Sequence, residues 1–154
     1  YLQNNDRHPE IHPEVLEAEL LENKEGIMPS RLKVSQKKVL TVVLDMEFEA
    51  HFKTVSDQQF LVRSYSTRVS EVKNSGEADE QKLPDGKGTG FLWRLYSYWR
   101  LEEADDGVFV ELETVSLTRG IPKGLGFVIK PFIVDVPRES LTSTLQAVRL
   151  DLTR

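Results

Sequence analysis

The sequence has no cysteine and no long apolar run, and each absence excludes a class of protein. Without Cys among its 154 residues, the chain cannot build a disulfide framework, a thiolate metal site, an iron–sulfur cluster or a cysteine nucleophile. The longest apolar stretch, 125–136, is interrupted by Gly126, Lys130, Pro131 and Asp135. It falls short of the roughly 18 consecutive apolar residues of a membrane-spanning helix, so we predict no integral membrane segment.

Positive charge is scarce relative to negative charge. The 20 Lys and Arg residues face 25 Asp and Glu residues, which gives a net charge of −5. Because nucleic-acid binding depends on a positive surface, we expect no nucleic-acid partner. The 39% apolar and 29% charged residues are typical of a soluble globular chain, and the length fits one domain over residues 1–154.

The chain does not begin as a translation product would. Position 1 is Tyr rather than Met, so we expect that residues have been removed and that any targeting signal lay among them. The sequence therefore predicts no compartment and leaves export open. It does not specify an oligomeric state either.

A strict alternation marks residues 40–53 as a long strand. Apolar side chains occupy the even positions and all but one of the odd positions are polar; the even set is Leu40, Val42, Leu44, Met46, Phe48, Ala50 and Phe52. Because successive side chains on a strand point to opposite faces, the pattern predicts one buried face and one solvated face.

Two shorter patterns precede this strand. Residues 14–23 mix apolar residues with glutamates and fit either an amphipathic helix or a strand, and we favour the strand because a turn-like Lys-Glu-Gly sequence follows. Leu32 and Val34 continue the even parity of the long strand upstream. The polar residues 36–38, which lie between Val34 and Leu40, fit either a turn or an exposed part of the same strand.

A strand and a long loop are predicted next. Residues 60–72 are rich in Ser, Thr, Val and Tyr, with Val62 and Arg68 on one face and Tyr65 on the other. Neither face is cleanly apolar, which suits either a sheet beside a partly polar cavity or an edge strand that faces water on both sides. Residues 73–89 contain three Gly residues, one Pro and almost no apolar residues, and they predict a loop.

Residues 91–103 and 108–119 predict a β-hairpin with Asp106 and Gly107 as the two turn residues. That register places Trp99 opposite Thr114. One face then contains the apolar residues Trp93, Leu95, Trp99, Leu101, Val110 and Leu112 together with Ser97, Thr114 and Ser116. We interpret this face as a wall of the core or of a cavity, because aromatic side chains bury large areas.

The last part of the chain predicts a helix. After a short apolar segment, 125–134, Pro137 can occupy a first helical turn that Asp135 would cap. An apolar stripe follows at spacings of four, three and four residues: Leu141, Leu145, Val148 and Leu152. Several strands followed by a terminal helix indicate an α+β fold with the helix on one face of the sheet.

No pattern predicts a cofactor or a catalytic centre. His8 and His12 are four residues apart beside two glutamates, but Pro9 and Pro13 interrupt the helix that would bring both imidazoles to one face, so we expect no metal site. No Gly-x-Ser-x-Gly sequence occurs. The paired carboxylates follow from alternation along solvated strand faces.

The segment from Asn5 to Val15, N-D-R-H-P-E-I-H-P-E-V, resembles one common in the START-like helix-grip (SRPBCC) superfamily. That superfamily includes lipid-transfer domains, plant ligand-binding proteins and polyketide cyclase/dehydratase-like proteins. The antiparallel strands and the closing helix after Gly124-Leu125-Gly126 follow the same order, and residues 90–141 are similar to uncharacterised bacterial members.

The resemblance implies a curved antiparallel sheet wrapped around a long C-terminal helix, with an apolar cavity between them. In the superfamily a first strand and most of a first helix precede the segment that matches Tyr1, so the resemblance implies an N-terminally incomplete domain. The superfamily shares no catalytic signature, and we therefore assign no catalytic residue.

These observations favour a non-enzymatic carrier or sensor that binds a hydrophobic small molecule or lipid in the cavity. The candidate ligand-binding residues are Tyr65, Arg68, Trp93, Leu95, Trp99, Leu112, Phe127 and Leu145, with Arg68 as a polar anchor. One alternative is a cyclase- or dehydratase-like enzyme that uses the same cavity, with Tyr65, Arg68 or a carboxylate as acid or base. The other is a protein-interaction module without a ligand, which would use an exposed sheet edge.

Overall fold

One antiparallel sheet and a long C-terminal helix form the fold in the computed structural model, which describes residues 7–22, 26–37, 41–89, 92–118, 124 and 126–152. The elements in chain order are α1 (His8–Ile11), β1 (Val15–Leu20), β2 (Ile27–Lys37), β3 (Thr41–Ser56), β4 (Gln59–Lys73), β5 (Gln81–Lys82), β6 (Arg94–Ala104), β7 (Gly107–Leu117) and α2 (Gly126–Leu152). Within these residues seven strands form one curved sheet in the order β1-β2-β3-β4-β6-β7, with β5 beside β4. The predicted α+β class is confirmed.

The alternation predicted for β3 is present, although both faces of the strand are partly buried. Met46, Phe48 and Ala50 are buried on the face that we call the inner face. On the opposite, outer face, Val43 and Asp45 are buried as well, at 8% and 2% exposure. The outer face is therefore not simply solvated at this point, and Leu40 lies outside the described residues.

The predicted hairpin forms, but its register is shifted. Ala104 pairs with Gly107, so Asp105 and Asp106 are the two turn residues, and Trp99 lies opposite Leu112. Among the described non-glycine residues only Asn74 has a positive φ, so this turn does not need glycine at either central position. A shift of two residues leaves every side chain on its predicted face.

A β-bulge in β4 changes the parity that the sequence predicts for this strand. Glu47 pairs with Arg68, and the next residue of β3, Phe48, pairs with Ser66, so Thr67 is the extra residue. Val62, Ser64 and Ser66 share one face as predicted, and it is the inner face. Beyond Thr67 the faces exchange, and Arg68 lies on the outer face rather than the same face as Val62.

Helix α2 begins earlier than predicted. It spans Gly126–Leu152 and includes Pro131 and Pro137 in its interior, whereas the sequence places Pro137 in the first turn. Each internal proline costs a backbone hydrogen bond, and the helix nevertheless continues through both positions. Within the described part of the chain, no helix has the length and apolar character needed to cross a bilayer.

The C-terminal half of α2 packs against one end of the inner face. Val148, 4% exposed, joins Ala50, Val62 and Trp99 in one buried cluster. Leu145, Met28, Phe52, Phe60, Leu101, Val110 and Leu112 pack around that cluster. A sheet that closes on the terminal helix is what the resemblance implies, and it is confirmed.

Ion pairs cover the middle of the outer face. Arg31 donates from Nη2 and Nε to Asp45 Oδ2 at 2.5 and 3.0 Å, and Lys82 Nζ lies 2.9 Å from Asp45 Oδ1. Arg68 pairs with Glu47 beside them. Burial would raise the pKa of Asp45, but the hydrogen bonds from Arg31 and Lys82 outweigh it and hold that pKa below its ordinary value.

The segment after β4, predicted as a plain loop, supplies part of this cover. β5 pairs with the C-terminal end of β4 through Val72 and Lys82. Lys33 Nζ on β2 donates to Glu80 Oε1 at 2.9 Å, so the residue that precedes β5 reaches across the outer face to β2. These bonds explain why Asp45 and Lys33 are buried on a face that alternation predicts to be solvated.

The network predicts an acid-sensitive contribution to stability. We expect Asp45→Asn to lower the free energy of unfolding at pH 7 by about 2 kcal/mol, because two partly buried cations lose their counter-charge. The folded-state pKa of Asp45 is depressed, so its contribution is complete above the ordinary pKa of about 4 and is lost as the pH falls through the lower folded-state value. Urea unfolding at pH 7 and pH 3 measures both effects.

Asp135→Asn is the matched control, because Asp135 is exposed on α2. We expect it to change the unfolding free energy by less than about 0.5 kcal/mol. A variant Asp45→Asn that is as stable as the parent at pH 7, or equally destabilised at pH 7 and pH 3, would contradict the role given to this carboxylate.

Candidate ligand-binding cavity

A cavity of about 340 Å³ lies between the inner face of the sheet and α2. Its lining comes from β2, β3, β4, β6 and β7 on one side and from α2 on the other, with α1 and its following turn at one end. The volume falls within the range of about 300–1,000 Å³ that small-molecule sites have. The cavity therefore lies under a helix and is large enough for a small molecule.

Apolar side chains form most of the cavity wall. Met46, Phe48 and Val69 form a second buried cluster, against which Leu92 and Leu95 pack. At the end where α2 is anchored, Trp99 and Leu112 line the cavity beside the first cluster. Phe132, Val136 and Leu141 extend the apolar wall on the helix side. Such a lining favours a ligand with a large apolar surface.

A row of hydroxyl side chains crosses this wall. Ser64 pairs with Ser97, and Ser97 pairs with Thr114, so the three side chains lie side by side on β4, β6 and β7. All three line the cavity. We call Ser64, Ser97 and Thr114 the hydroxyl row. Ser66, by contrast, has a partner, because its Oγ accepts a hydrogen bond from the backbone of Leu95 at 2.9 Å.

Ionisable side chains line the other end of the cavity. His8, His12 and Glu14 come from α1 and the residues that follow it. The two imidazole rings meet edge-to-face at 5.9 Å, and His12 Nδ1 lies 3.7 Å from Glu14 Oε1. His12 is only 6% exposed. In the described part of the chain, no three His, Asp or Glu side chains are arranged to hold a metal ion.

The prediction that the prolines keep His8 and His12 apart is wrong. Pro9 does not separate the imidazoles, since proline is accommodated in the first turn of the short helix His8–Ile11. His12 follows as the C-cap, and its backbone N–H donates to the carbonyl of His8 at 2.8 Å. The spacing of four residues was the signal for the contact between the two rings.

Three of the eight candidate site residues line the cavity: Leu95, Trp99 and Leu112. Leu145 packs against the buried cluster at the anchored end and is not part of the lining. Trp93 and Phe127 are exposed, at 49% and 75%, and they also lie outside the lining. Trp93 precedes β6, and Phe127 is in the first turn of α2, so neither is held against the inner face.

Tyr65 and Arg68 lie on the outer face and not at the cavity. The Tyr65 hydroxyl donates to Glu49 Oε2 at 2.5 Å, and its ring stacks on His51. The hydrogen bond to Glu49 raises the pKa of Tyr65 above its ordinary value. Arg68 is turned outward by the bulge at Thr67 and pairs with Glu47, so it cannot anchor a ligand in the cavity.

The two tryptophans test this geometry separately. Trp99 is 9% exposed beside the cavity and Trp93 is 49% exposed. We expect the variant Trp93→Phe, which keeps only Trp99, to emit at shorter wavelength and to be quenched several-fold less by acrylamide than Trp99→Phe. Equal quenching of the two variants would contradict the placement of Trp99 in the wall.

Comparison with known proteins agrees with the fold described above. No protein-family model and no curated protein matches the chain. Three solved structures are similar. An aromatase/cyclase from Streptomyces sp. R1128 has a TM-score of 0.67 at 14% identity, with 99% of this chain and 82% of that one covered. A STAR-related lipid transfer protein fragment from Xanthomonas axonopodis has a TM-score of 0.62 at 23% identity, covering 99% and 76%.

The third is Ara h 8.0201, with a TM-score of 0.53 at 14% identity, covering 99% of this chain and 85% of that one. At these identities the likeness shows the fold alone. The sheet order, the helix closing on the inner face and the three neighbours agree. The chain therefore has the helix-grip α+β fold of the START-like superfamily, to which its sequence bears a resemblance.

Proposed function

We propose that the protein binds and carries a hydrophobic small molecule or lipid in the cavity under α2. The observation that carries this proposal is the cavity itself, about 340 Å³ of space with a mostly apolar wall. A protein-interaction module without a ligand has no need of such a space, because an unfilled interior costs stability. Leu95, Trp99 and Leu112 are the proposed ligand contacts on the sheet.

The neighbours support the proposal in a general way. One of them is named for lipid transfer and another for aromatase/cyclase activity. A lipid is a largely apolar molecule, so the first name agrees with a ligand for an apolar cavity. The binding energy would come mainly from apolar surface that leaves water when the ligand contacts the walls around Phe48, Leu95 and Trp99.

Native mass spectrometry tests for a bound ligand. We expect gently purified protein to show one additional mass that organic extraction removes. The extracted protein should then bind the uncharged fluorescent probe N-phenyl-1-naphthylamine with one site per chain. A cavity that stays empty and does not take up this probe would contradict the proposal.

Two neighbouring positions on β7 show where the probe binds. Thr114 lines the cavity, whereas Val115 points outward and is 40% exposed. We expect Thr114→Phe to weaken probe binding by at least about tenfold, because the added ring occupies the space that the probe needs. Val115→Phe adds a similar ring on the other face and should leave the affinity unchanged. Equal effects of the two variants would place the probe elsewhere.

Acid–base catalysis in the same cavity is the second candidate function. It is favoured by His12, which is buried at the cavity end with its Nδ1 3.7 Å from Glu14. An imidazole beside a carboxylate is a suitable general base. It could remove a proton from the carbon next to a carbonyl group, so that the C–H bond breaks, the proton moves to the imidazole and an enolate forms. Tyr65 and Arg68 lie on the outer face and take no part in this candidate.

Deuterium exchange tests the catalytic candidate without knowledge of the substrate. With 2-acetylnaphthalene in D₂O, the methyl protons next to the carbonyl should exchange faster in the presence of the protein, as followed by NMR. We expect His12→Gln to reduce this acceleration by at least about tenfold, a threshold below the roughly 10²–10⁴-fold that general-base catalysis contributes. His51→Gln, on the outer face, is the control. Exchange no faster than without protein would contradict catalysis and leave the binding proposal intact.

A further inference from the structure

We infer that the ligand is an uncharged, largely apolar molecule that carries an oxygen function near its middle, and that the hydroxyl row of Ser64, Ser97 and Thr114 binds this oxygen. The inference rests on the proposed function, since it concerns what the same cavity selects. It is carried by the position of these hydroxyls within the wall and by the kinds of charge that the lining contains.

The register of the sheet fixes the position of the hydroxyl row. On one side the next inward-facing row contains Val62, Trp99 and Leu112. On the other side it contains Leu95 and Ser116, and Ser116 also lines the cavity. Side chains directly opposite each other on neighbouring strands are about 5 Å apart, so the row extends about 10 Å across β4, β6 and β7. A polar strip therefore crosses the wall between the apolar row of Trp99 and a mixed row of Leu95 and Ser116.

These hydroxyls are available to a ligand. None of the hydrogen bonds formed among the described residues uses the side chains of Ser64, Ser97 or Thr114. A wholly apolar ligand would cover them and displace their water without offering a partner. A ligand hydroxyl, carbonyl or ether oxygen at the same place would restore the lost hydrogen bonds.

The charges in the lining argue against an ionised ligand. Among the described residues that line the cavity none is Lys or Arg, and the ionisable ones are His8, His12 and Glu14 at the end near α1. A carboxylate or phosphate at the hydroxyl row would therefore leave water without a cationic partner in that wall. An ammonium group there would equally lack an anionic partner. On the opposite side of the cavity, Ser140 and Thr144 of α2 add two further uncharged polar groups.

Three probes of one shape separate these possibilities. Anthracene, 9-anthracenemethanol and 9-anthracenecarboxylate share a flat apolar body and differ only in the group at the middle of the ring system. In a purely apolar cavity the alcohol would bind more weakly than anthracene, because its hydroxyl group loses water. We expect the alcohol to bind about fivefold more tightly than anthracene, as one net hydrogen bond implies, and the carboxylate at least about tenfold more weakly than the alcohol.

Variants of the hydroxyl row connect this preference to the named residues. In the double variant Ser97→Ala, Thr114→Val, the alcohol should lose its advantage while anthracene binds as before. Each single variant should reduce the advantage in part. Tyr98→Phe is the matched control, because it removes a hydroxyl next to Ser97 in the chain but from the outer face, where Tyr98 is 40% exposed. Fluorescence titration gives the dissociation constants.

The outcomes distinguish this inference from the proposed function. If anthracene and the alcohol bind equally well, if the carboxylate binds as tightly as the alcohol, or if every variant keeps the preference, the inference is wrong although the cavity binds ligands. If none of the three probes binds to the parent protein, the proposed function and the inference fail together.

Discussion

The contact between the C-terminal half of α2 and one end of the sheet is the interaction on which the rest of the structure depends. Val148 and Leu145 pack against Trp99 and its neighbours there, and this packing holds the helix in place. Toward its N-terminal half the same helix faces a space instead of a packed layer, with Phe132 lining that space. A helix anchored at one end and raised from the sheet at the other accounts for the cavity without any further element. Loss of the anchor would remove the roof of the site as well as part of the core.

The outer face compensates for an interior that is not fully packed. A cavity forgoes dispersion contacts and apolar burial that a solid core would provide. On the other side of the same strands, Asp45 is almost fully buried beneath its cations, and Lys33 reaches Glu80 beyond β4. β3 is thereby held between a ligand space and an ion-pair layer. Under the proposed function, stability and binding belong to opposite faces of one sheet, so residues of the outer face would hold the structure without touching a ligand.

The sequence was sufficient for the fold class, for the long strand β3 and for the inward face of the β6–β7 hairpin. The face of the hairpin was predicted correctly despite the wrong register, because a register shift of two residues leaves each side chain on the same face. It was not sufficient for Arg68. One extra residue at Thr67 exchanges the faces of β4, and nothing in a run of Ser, Thr and Val marks where a bulge occurs. The predicted start of α2 was wrong for a related reason. Pro131 and Pro137 argue locally against a helix, but contacts elsewhere in the fold stabilise it. The cavity lining combines residues from most of the elements, and only the fold brings them together.

The polarity of the cavity separates affinity from selectivity. Apolar walls around Phe48 and Trp99 attract any molecule with enough apolar surface, and the energy gained scales with area rather than with chemical identity. Hydroxyl groups act differently. A ligand that leaves a buried hydroxyl without a hydrogen-bond partner loses more binding free energy than a ligand that forms the hydrogen bond gains. The hydroxyl row of Ser64, Ser97 and Thr114 would impose this loss of binding free energy on a ligand that has no oxygen near its middle. A cavity built in this way would discriminate by rejecting ligands that cannot satisfy its wall, and a general affinity for apolar molecules is then compatible with a narrow choice among them.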